Sequence, residues 1–384
     1  MPKIRITEKY EPTVNVPEEE LSVYVPIKTT SAVAIEAFRD VNAFATKFSA
    51  PAKGTDNKFS KAFHMAFNLI KLGYTVVAEG LTEAPSSVTA DVCDKYRFDL
   101  RFITSGDFGP ASTDTSFSTF EAKLISASAK RGDCVTLLNG YGKTGISTLP
   151  TSIDDKDAEY AAVFYPDCKI KIEKFDALTS GKISSSTGEE TMPAVYAYLV
   201  SFITSINKGN PEWLAVAGSV RGVIPNLVEP TEILGSADVD ALQCRAAELD
   251  GANDNVGCAV NPICNINPYG YLIWGNRTFK LNEGTLTATS FLNVRNLISS
   301  IKKTVFIAAK RYTFEQNDDI LWLNFTSAIT PILDRMMSGS GIGGYKITKV
   351  KANAKARLAA RIQIVPIEAV EDFDIEIEIV DSEF

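Results

Sequence analysis

The 384-residue sequence contains a single histidine, His64. That count argues against most hydrolytic and zinc chemistry, because histidine is the usual general base and the usual metal ligand. His64 lies in an apolar run at helical spacing and is expected as a packed or surface side chain. The six cysteines (Cys93, Cys134, Cys168, Cys244, Cys258 and Cys264) fall at irregular spacings without a C-x-x-C pair, so buried thiols are expected rather than a metal or redox centre. Cys258 and Cys264 bracket a proline-containing loop and could be bridged, which a reducing cytosol disfavours. The run Gly339-Ser340-Gly341-Ile342-Gly343-Gly344 fits G-x-G-x-x-G, yet a helical pattern precedes it and a strand-like run follows. This reverses the order that a dinucleotide site needs, and a helix-to-strand loop is expected instead. Gly142-Lys143-Thr144 resembles the end of a phosphate-binding loop, but Leu137 stands where the first glycine would have to be. The carboxylate pairs Asp154-Asp155 and Asp318-Asp319 remain, the second at a helix start where capping accounts for it. Asp99, Arg101 and Lys143 near strand ends are the residues on which an enzymatic alternative would rest. No constellation of catalytic type emerges, so the expectation is a non-enzyme with no cofactor and no metal.

The bulk composition narrows the classes further. With 45% hydrophobic and 22% charged residues, the chain can bury a large core and would ordinarily divide into two or three domains. A formal net charge of −8 argues against general nucleic-acid binding, whose affinity comes from phosphate neutralisation. No apolar run approaches the roughly 18–20 residues of a membrane span, so no membrane insertion is expected. Residues 1–10 carry charges where a secretory signal would be apolar, so the chain is expected to be made in a cytoplasm.

The elements that would position these residues alternate. After a polar arm over residues 1–21, strand-like runs are expected at 22–26, 74–79, 97–103, 133–138 and 160–165, separated by helices, which is α/β logic. Phe59, Phe63, Phe67 and Ile70 recur at helical spacing over 59–72, with Gly73 as the stop. A second helix is expected over 117–131, ending on Lys130-Arg131-Gly132. Residues 176–190, rich in Ser, Thr, Gly and Lys, read as an exposed loop. The main domain boundary is placed within the irregular stretch 230–262. The resulting layout is an N-terminal linker arm (1–21), an outer α/β domain with a mixed sheet (22–255), an inner C-terminal α+β domain (256–366) and a C-terminal strand arm (367–384).

Charge and periodicity change sharply toward the C-terminus. From 280 to 361 the chain is basic, including Lys302, Lys303, Lys310 and Arg311, and the last twenty residues turn acidic, an asymmetry that points to charge-matched partners. Phe373, Ile375, Ile377 and Ile379 alternate with Asp374, Glu376 and Glu378, the signature of a two-faced strand. It follows the alternating run 358–365 and has no later segment with which to form a hairpin. Ile4, Ile6 and Tyr10 form a weaker alternating run in the N-terminal arm. An unpaired strand is a template for joining another chain's sheet. Both termini are therefore expected to act as inter-subunit arms, with the segment carrying Leu358, Ala360, Ile362 and Ile364 as acceptor; the alternative is that both fold back onto their own domain.

A family resemblance is carried by Asn261-Pro262-Ile263, then Gly270-Tyr271-Leu272-Ile273-Trp274-Gly275-Asn276-Arg277-Thr278, then Phe291-Leu292-Asn293-Val294-Arg295. This order resembles the C-terminal core of contractile tail sheath proteins of bacteriophages and related injection machines. Phe314-Glu315-Gln316-Asn317 with Leu321-Trp322, and the closing run Ala360-Arg361-Ile362-Gln363-Ile364-Val365-Pro366, are similar to further family segments. Upstream, 97–106 and Lys130-Arg131-Gly132-Asp133-Cys134 resemble parts of the family's variable domain. Asn296 stands where the family has a second basic residue, Gln316 where it has proline, and Pro331 falls within an expected helix over 318–337.

The resemblance implies a subunit that polymerises helically, as stacked hexameric rings, around an inner tail tube, and contracts to drive the tube through a cell envelope. It implies tube, baseplate and tail-terminator proteins as partners. The expected location is the tail of a virion or of an extracellular phage-tail-like particle, assembled in a bacterial cytoplasm. Candidate tube contacts are Lys302, Lys303, Lys310 and Arg311, and the motif core is Trp274, Gly275, Arg277, Asn293, Arg295 and Trp322. The other readings are a cytoplasmic α/β enzyme and a capsid-like lattice protein.

Overall fold

Successive residues along the central strands send their side chains into different cores, the arrangement of a sheet covered on both faces. Val23, Val25, Val76, Ala78, Phe102, Leu137, Ala162 and Phe164 face one cluster. Their neighbours Tyr24, Val77 and Ile103 face a second, and Leu138, Ala161 and Val163 a third. The computed structural model describes residues 21–370 apart from 55–57, 86–87, 89, 111–116, 141, 143–154, 244–255, 284–286 and 352–355. Within them the chain forms two compact units, Glu20–Ser299 and Ser300–Val365.

The first unit opens with strands β1 (Ser22–Lys28) and β2 (Val33–Phe38) and helices α1 (Val41–Phe48) and α2 (Lys61–Lys71). It continues through β3 (Thr75–Leu81), α3 (Ala90–Cys93), β4 (Phe102–Thr104), α4 (Phe117–Arg131), β5 (Val135–Asn139), α5 (Asp155–Ala158) and β6 (Ala161–Tyr165). Then come β7 (Cys168–Thr179), β8 (Lys182–Met192), α6 (Ala194–Asn207), α7 (Gly218–Arg221), β9 (Leu227–Pro230) and α8 (Ser236–Gln243). The sequence block of the resemblance adds β10 (Val256–Cys258), β11 (Asn261–Ile266), β12 (Gly270–Ile273), β13 (Leu281–Glu283) and the start of α9 (Leu292–Arg311). The main sheet has the order β12-β11-β6-β5-β4-β1-β3-β2. Strands β11, β6, β5, β4, β1 and β3 run parallel, while the edges β12 and β2 are antiparallel to their neighbours. It is thus the mixed sheet expected.

Helices α1, α2 and α6 cover one face with an aromatic core. Phe44, Phe59, Phe67 and Phe175 ring Phe63 at centroid distances of 5.1, 4.6, 6.5 and 5.3 Å. The α2 helix starts where Ser60 Oγ accepts from Phe63 N at 3.2 Å. Helix α4 covers the other face, and the basic residues at its end have a second use. Arg131 forks onto Asp133 (3.0 and 3.2 Å) and donates to the carbonyls of Val92 and Phe98, pinning the chain that enters β4.

Three expectations are corrected here. Residues 176–190 form most of a hairpin, β7 and β8, turning through Ser180 (φ +51°) and Gly181 (φ +75°). A two-residue turn with both φ positive matches strand twist. The Ser-rich β8 is exposed because one side of its hairpin faces solvent. The strand expected at 97–103 is short, beginning only at Phe102, because 97–101 serve the Arg131 clasp and a buried arginine described below. The compact units divide at 299/300 rather than within 230–262, since β11 pairs with β6 and belongs to the main sheet.

The second unit contains the rest of α9, then α10 (Asp319–Ser338), β14 (Ile342–Val350) and β15 (Ala359–Pro366), the last two paired in their own sheet. Helix α10 buries Leu321, Phe325, Ile329, Leu333 and Met336, one stripe at helical spacing. Asp318 accepts from Leu321 N at 2.8 Å, the capping role expected of it. The helix runs on through Pro331. The glycine-rich stretch 339–344 is only partly a loop, because β14 already begins at Ile342.

Candidate functional site

Two places in the first unit could carry function: the crevice at the C-terminal edge of the parallel strands and the block of motif residues. The crevice has a volume of about 360 Å³ and is lined by Lys61, Asp107, Asn139, Tyr165, Asp167 and Thr231, among others. In a doubly wound sheet this edge is where ligands usually sit, with anions against helix N-termini. Here the chain's own oxygens occupy those positions. Asp107 accepts from Ala62 N of α2 (3.0 Å) and from Lys28 N (2.8 Å). Asp167 and Asn139 accept from Ala194 N (3.2 Å) and Val195 N (3.1 Å) of α6, and the Tyr165 hydroxyl bonds Glu232. Burial pushes both Asp107 and Asp167 above the ordinary carboxylate range. The donors that would receive a phosphate are therefore spent on internal caps.

The residues of the enzymatic alternative are not gathered in this crevice. Arg101 precedes β4 at the opposite edge of the sheet, fully buried, 3.5 Å from Glu212. The Asp99 carbonyl accepts from Ser22 Oγ, and Lys143 lies outside the described residues. His64 is buried in α2 against Phe59 and Phe63, and desolvation lowers its pKa from the ordinary value. Cys264 is a free, buried thiol pushed up to about 11 by burial, so the bridge with Cys258 is not formed. Among the described residues, no group of three His, Cys, Asp or Glu side chains is placed to hold a metal ion, and no helix is long and apolar enough to cross a membrane.

The motif residues, by contrast, converge. Asn261, wholly buried at the start of β11, donates to the carbonyls of Val163 (3.0 Å) and Arg277 (2.9 Å) and accepts from Arg277 N (2.7 Å). Gly275 passes so close that a Cβ there would lie 2.8 Å from Asn261 Oδ1 and 2.9 Å from its Cα, leaving room for glycine alone. Half-buried Trp274 donates its backbone N–H to Pro262 O at 2.8 Å. Asn276 and Asn293 then bond reciprocally: Asn276 Nδ2 donates to Asn293 Oδ1 (2.7 Å) and Asn293 N donates to Asn276 Oδ1 (3.2 Å). Arg277 lies over the Phe291 ring at 5.2 Å. Arg295 donates to Glu159 at 2.6 Å while stacking on Tyr160 at 4.2 Å. Asn296, the departure from the family pattern, donates to the Tyr198 hydroxyl (3.2 Å), and its carbonyl accepts from Arg101 (3.3 Å). A second arginine at 296 would stand beside that buried cation. Together these bonds fasten the first turns of α9 to the sheet. The sequence pattern marks Asn261, Gly275, Asn276 and Arg295, but nothing in it marks Glu159 or Arg101 as their partners.

The remaining candidate residues fall in the second unit or outside the described residues. Lys302, Lys310 and Arg311 are exposed on α9, whereas Lys303 is only 3% exposed; as a buried side chain it is not a surface contact here. Trp322 is half-buried, its ring centroid 6.2 Å from that of Phe325. Ala360, Ile362 and Ile364 lie on β15 and Leu358 just before it. Ile4, Ile6, Tyr10, Phe373, Ile375, Ile377 and Ile379 all lie outside the described residues.

The comparisons with known proteins fit this geometry. No protein-family model matches the sequence. The sheath chain of an extracellular contractile injection system (PVC, contracted state) superposes with a TM-score of 0.65 at 15% identity, over 98% of this chain and 97% of that one. The contracted helical sheath of the anti-feeding prophage gives 0.62 at 15% identity, over 98% of both chains. This chain has a contractile-sheath fold. A chain in the baseplate structure of the same prophage is also similar, with a TM-score of 0.64 at 13% identity over 98% of each. In sequence, a tail sheath protein of Vibrio phage KVP40 is 26% identical over 155 residues, 40% of this chain. The match spans about a fifth of the phage protein's length.

Proposed function

We propose that this chain is a structural, non-catalytic subunit of a contractile sheath, polymerising helically around an inner tube that contraction drives through a target envelope. The observation that carries it is a sheath fold extending over 98% of the chain, accompanied by the buried motif block. The partners are further copies of the chain in stacked hexameric rings, the inner tube, and baseplate and terminator proteins. The particle is a phage tail or an extracellular phage-tail-like machine assembled in a bacterial cytoplasm. Contraction is a rigid-body repacking of bistable interfaces and needs no nucleotide. In support of this last point, the helix N-termini at the crevice are already capped by Asp107 and Asp167.

The layout in this reading is an outer α/β domain and an inner domain with strand arms on either side. The Phe373–Ile379 alternation joins the β15 sheet of a neighbour; in support, β15 pairs with one strand, β14, among the described residues. Lys302, Lys310 and Arg311 face an acidic tube surface, a salt-screened and releasable attachment. Negative-stain electron microscopy of the purified protein tests the reading. Hollow helical tubes are expected, closed shells or unassembled monomer would refute it, and a chain lacking residues 371–384 should stay folded without forming tubes. Reversing the three exposed cations should abolish co-sedimentation with inner tubes.

A further inference from the structure

His64 stands where α2 meets the β7–β8 hairpin. Helical spacing puts Ser60, His64 and Asn68 on one face of α2, and Asn68 ties that face to β7. Its Nδ2 donates to Glu173 O (2.9 Å) and its Oδ1 accepts from Glu173 N (3.1 Å). Beside this clasp Phe175 of β7 packs on Phe59, Phe63 and Phe67 at 5.0, 5.3 and 5.5 Å. The His64 ring meets Phe59 and Phe63 edge-on at 6.2 and 5.9 Å and is 8% exposed. Its Nδ1 is buried without a hydrogen-bond partner among the described residues. An imidazolium carries N–H on both nitrogens, so protonation leaves a charged donor where no acceptor stands.

Nearby charges do not relieve this. Desolvation is the largest influence on the ring and lowers its pKa; Glu190 and Asp176 pull it up and Lys174 pulls it down. Glu190 of β8 is paired with Lys174 of β7 at 2.5 Å, and Asp176 of β7 accepts from Ser186 at 3.2 Å. Among the other elements against α2, Lys47 of α1 pairs with Glu36, Glu79 of β3 accepts from the Tyr24 hydroxyl, Lys28 of β1 is exposed and α6 has no charged residue. On α2 itself, Lys71 pairs with Glu173, and Lys61 lies 3.9 Å from Asp167. The hairpin has little other support, because β7 pairs with β9 only from Cys168 to Ile170 and β8 is mostly exposed.

We propose that His64 is an acid-sensitive latch: protonation drives its ring out of the joint and releases the β7–β8 hairpin from α2. The seated form holds the ring neutral, so the released form takes up the proton more readily. Seating is therefore at full strength above the ordinary histidine value of 6.5 and weakens as pH falls below it, by up to about tenfold per pH unit for one proton. The latch lies within the first unit and does not depend on the sheath reading.

The test uses the full chain and its His64→Phe and His64→Gln variants. With histidine alone carbon-13 labelled, the parent gives one imidazole signal that needs no assignment, and its midpoint should lie below 6.5, the ordinary value. A midpoint at or above that value overturns the proposal. Amide hydrogen exchange, corrected for the intrinsic rate, reads the release, since a hairpin without support is marginally stable. Between pH 6.5 and 5.5 protection along β7 and β8 should fall about three- to tenfold in the parent, stay level in the variants, and hold in β1 and β3. Asp107 and Asp167, which burial raises, are common to parent and variants, so the difference isolates His64. A fall under about twofold, an equal fall in the variants, or an equal fall in β1 and β3 overturns the proposal. If neither variant folds, the two readings on the parent decide by themselves.

Discussion

The two compact units solve the burial problem in different ways. In Glu20–Ser299 the sheet is covered on both faces, and side chains such as Phe44, Phe48, Phe63, Phe67, Phe102 and Phe164 are fully buried. In Ser300–Val365 the covered side chains are fewer, the α10 stripe with Ile301, Ala308 and Ile342; β14 and β15 mostly mix half-buried and exposed positions, and Phe314, Ile320 and Leu323 stand in solvent. The first unit encloses its sheet, although Tyr96, Val220, Ile233 and Tyr269 also stand in solvent. The second encloses less of its apolar surface, and under the proposed function that surface serves association. Substitutions in the two units should therefore fail differently, the first by unfolding and the second by loss of assembly.

The largest effect is expected from Phe63→Ala, which empties the middle of the aromatic core of the first unit. Large-to-small changes at such sites cost about 3–5 kcal/mol, readable by denaturant unfolding; a loss under about 1 kcal/mol would mean that this core is loosely packed. Next comes Arg295→Met, which leaves the Glu159 carboxylate, 21% exposed, without its guanidinium. A charge-assisted bond of this kind is worth about 2 kcal/mol, and adding Glu159→Gln should recover part of the loss in a double-mutant cycle. The smallest effect, Asp318→Ala, removes the cap of α10 and should cost about 1 kcal/mol. Amide hydrogen exchange should locate that loss in α10 while the main sheet stays protected. Equal loosening of β1 and β3 would show that the two units unfold together.

How much of this was legible in the sequence depended on whether a residue's role is local. Helix α4 was expected over the same residues that it occupies, 117–131, because stripe, basic end and Gly132 all lie in one stretch. The Phe59 to Ile70 stripe likewise gave α2 within two residues at each end. The hairpin of β7 and β8 was misread because its outer strand is Ser-rich and polar. Its buried partners Ile170, Ile172 and Phe175 lie on the other strand, all before the misread stretch. The boundary was misplaced because β11 joins the sheet through Phe164, a pairing that no local pattern announces. For the site, the Trp274-Gly275-Asn276-Arg277 block was visible as a motif but not as a fastening. Its partners Val163, Glu159 and Arg101 are remote in sequence.

That remoteness also sets a clock. Asn261 and the Val163 carbonyl it grips are 98 residues apart, and a ribosome adding about 5–20 residues per second takes roughly 5–20 seconds to bridge them. For that interval β6 waits without its outer neighbour. The exposed cations, the Phe314 turn and β15 emerge later still, after the α/β unit has received its last strand. Chain order thus delays the second unit until the main sheet of the first can close.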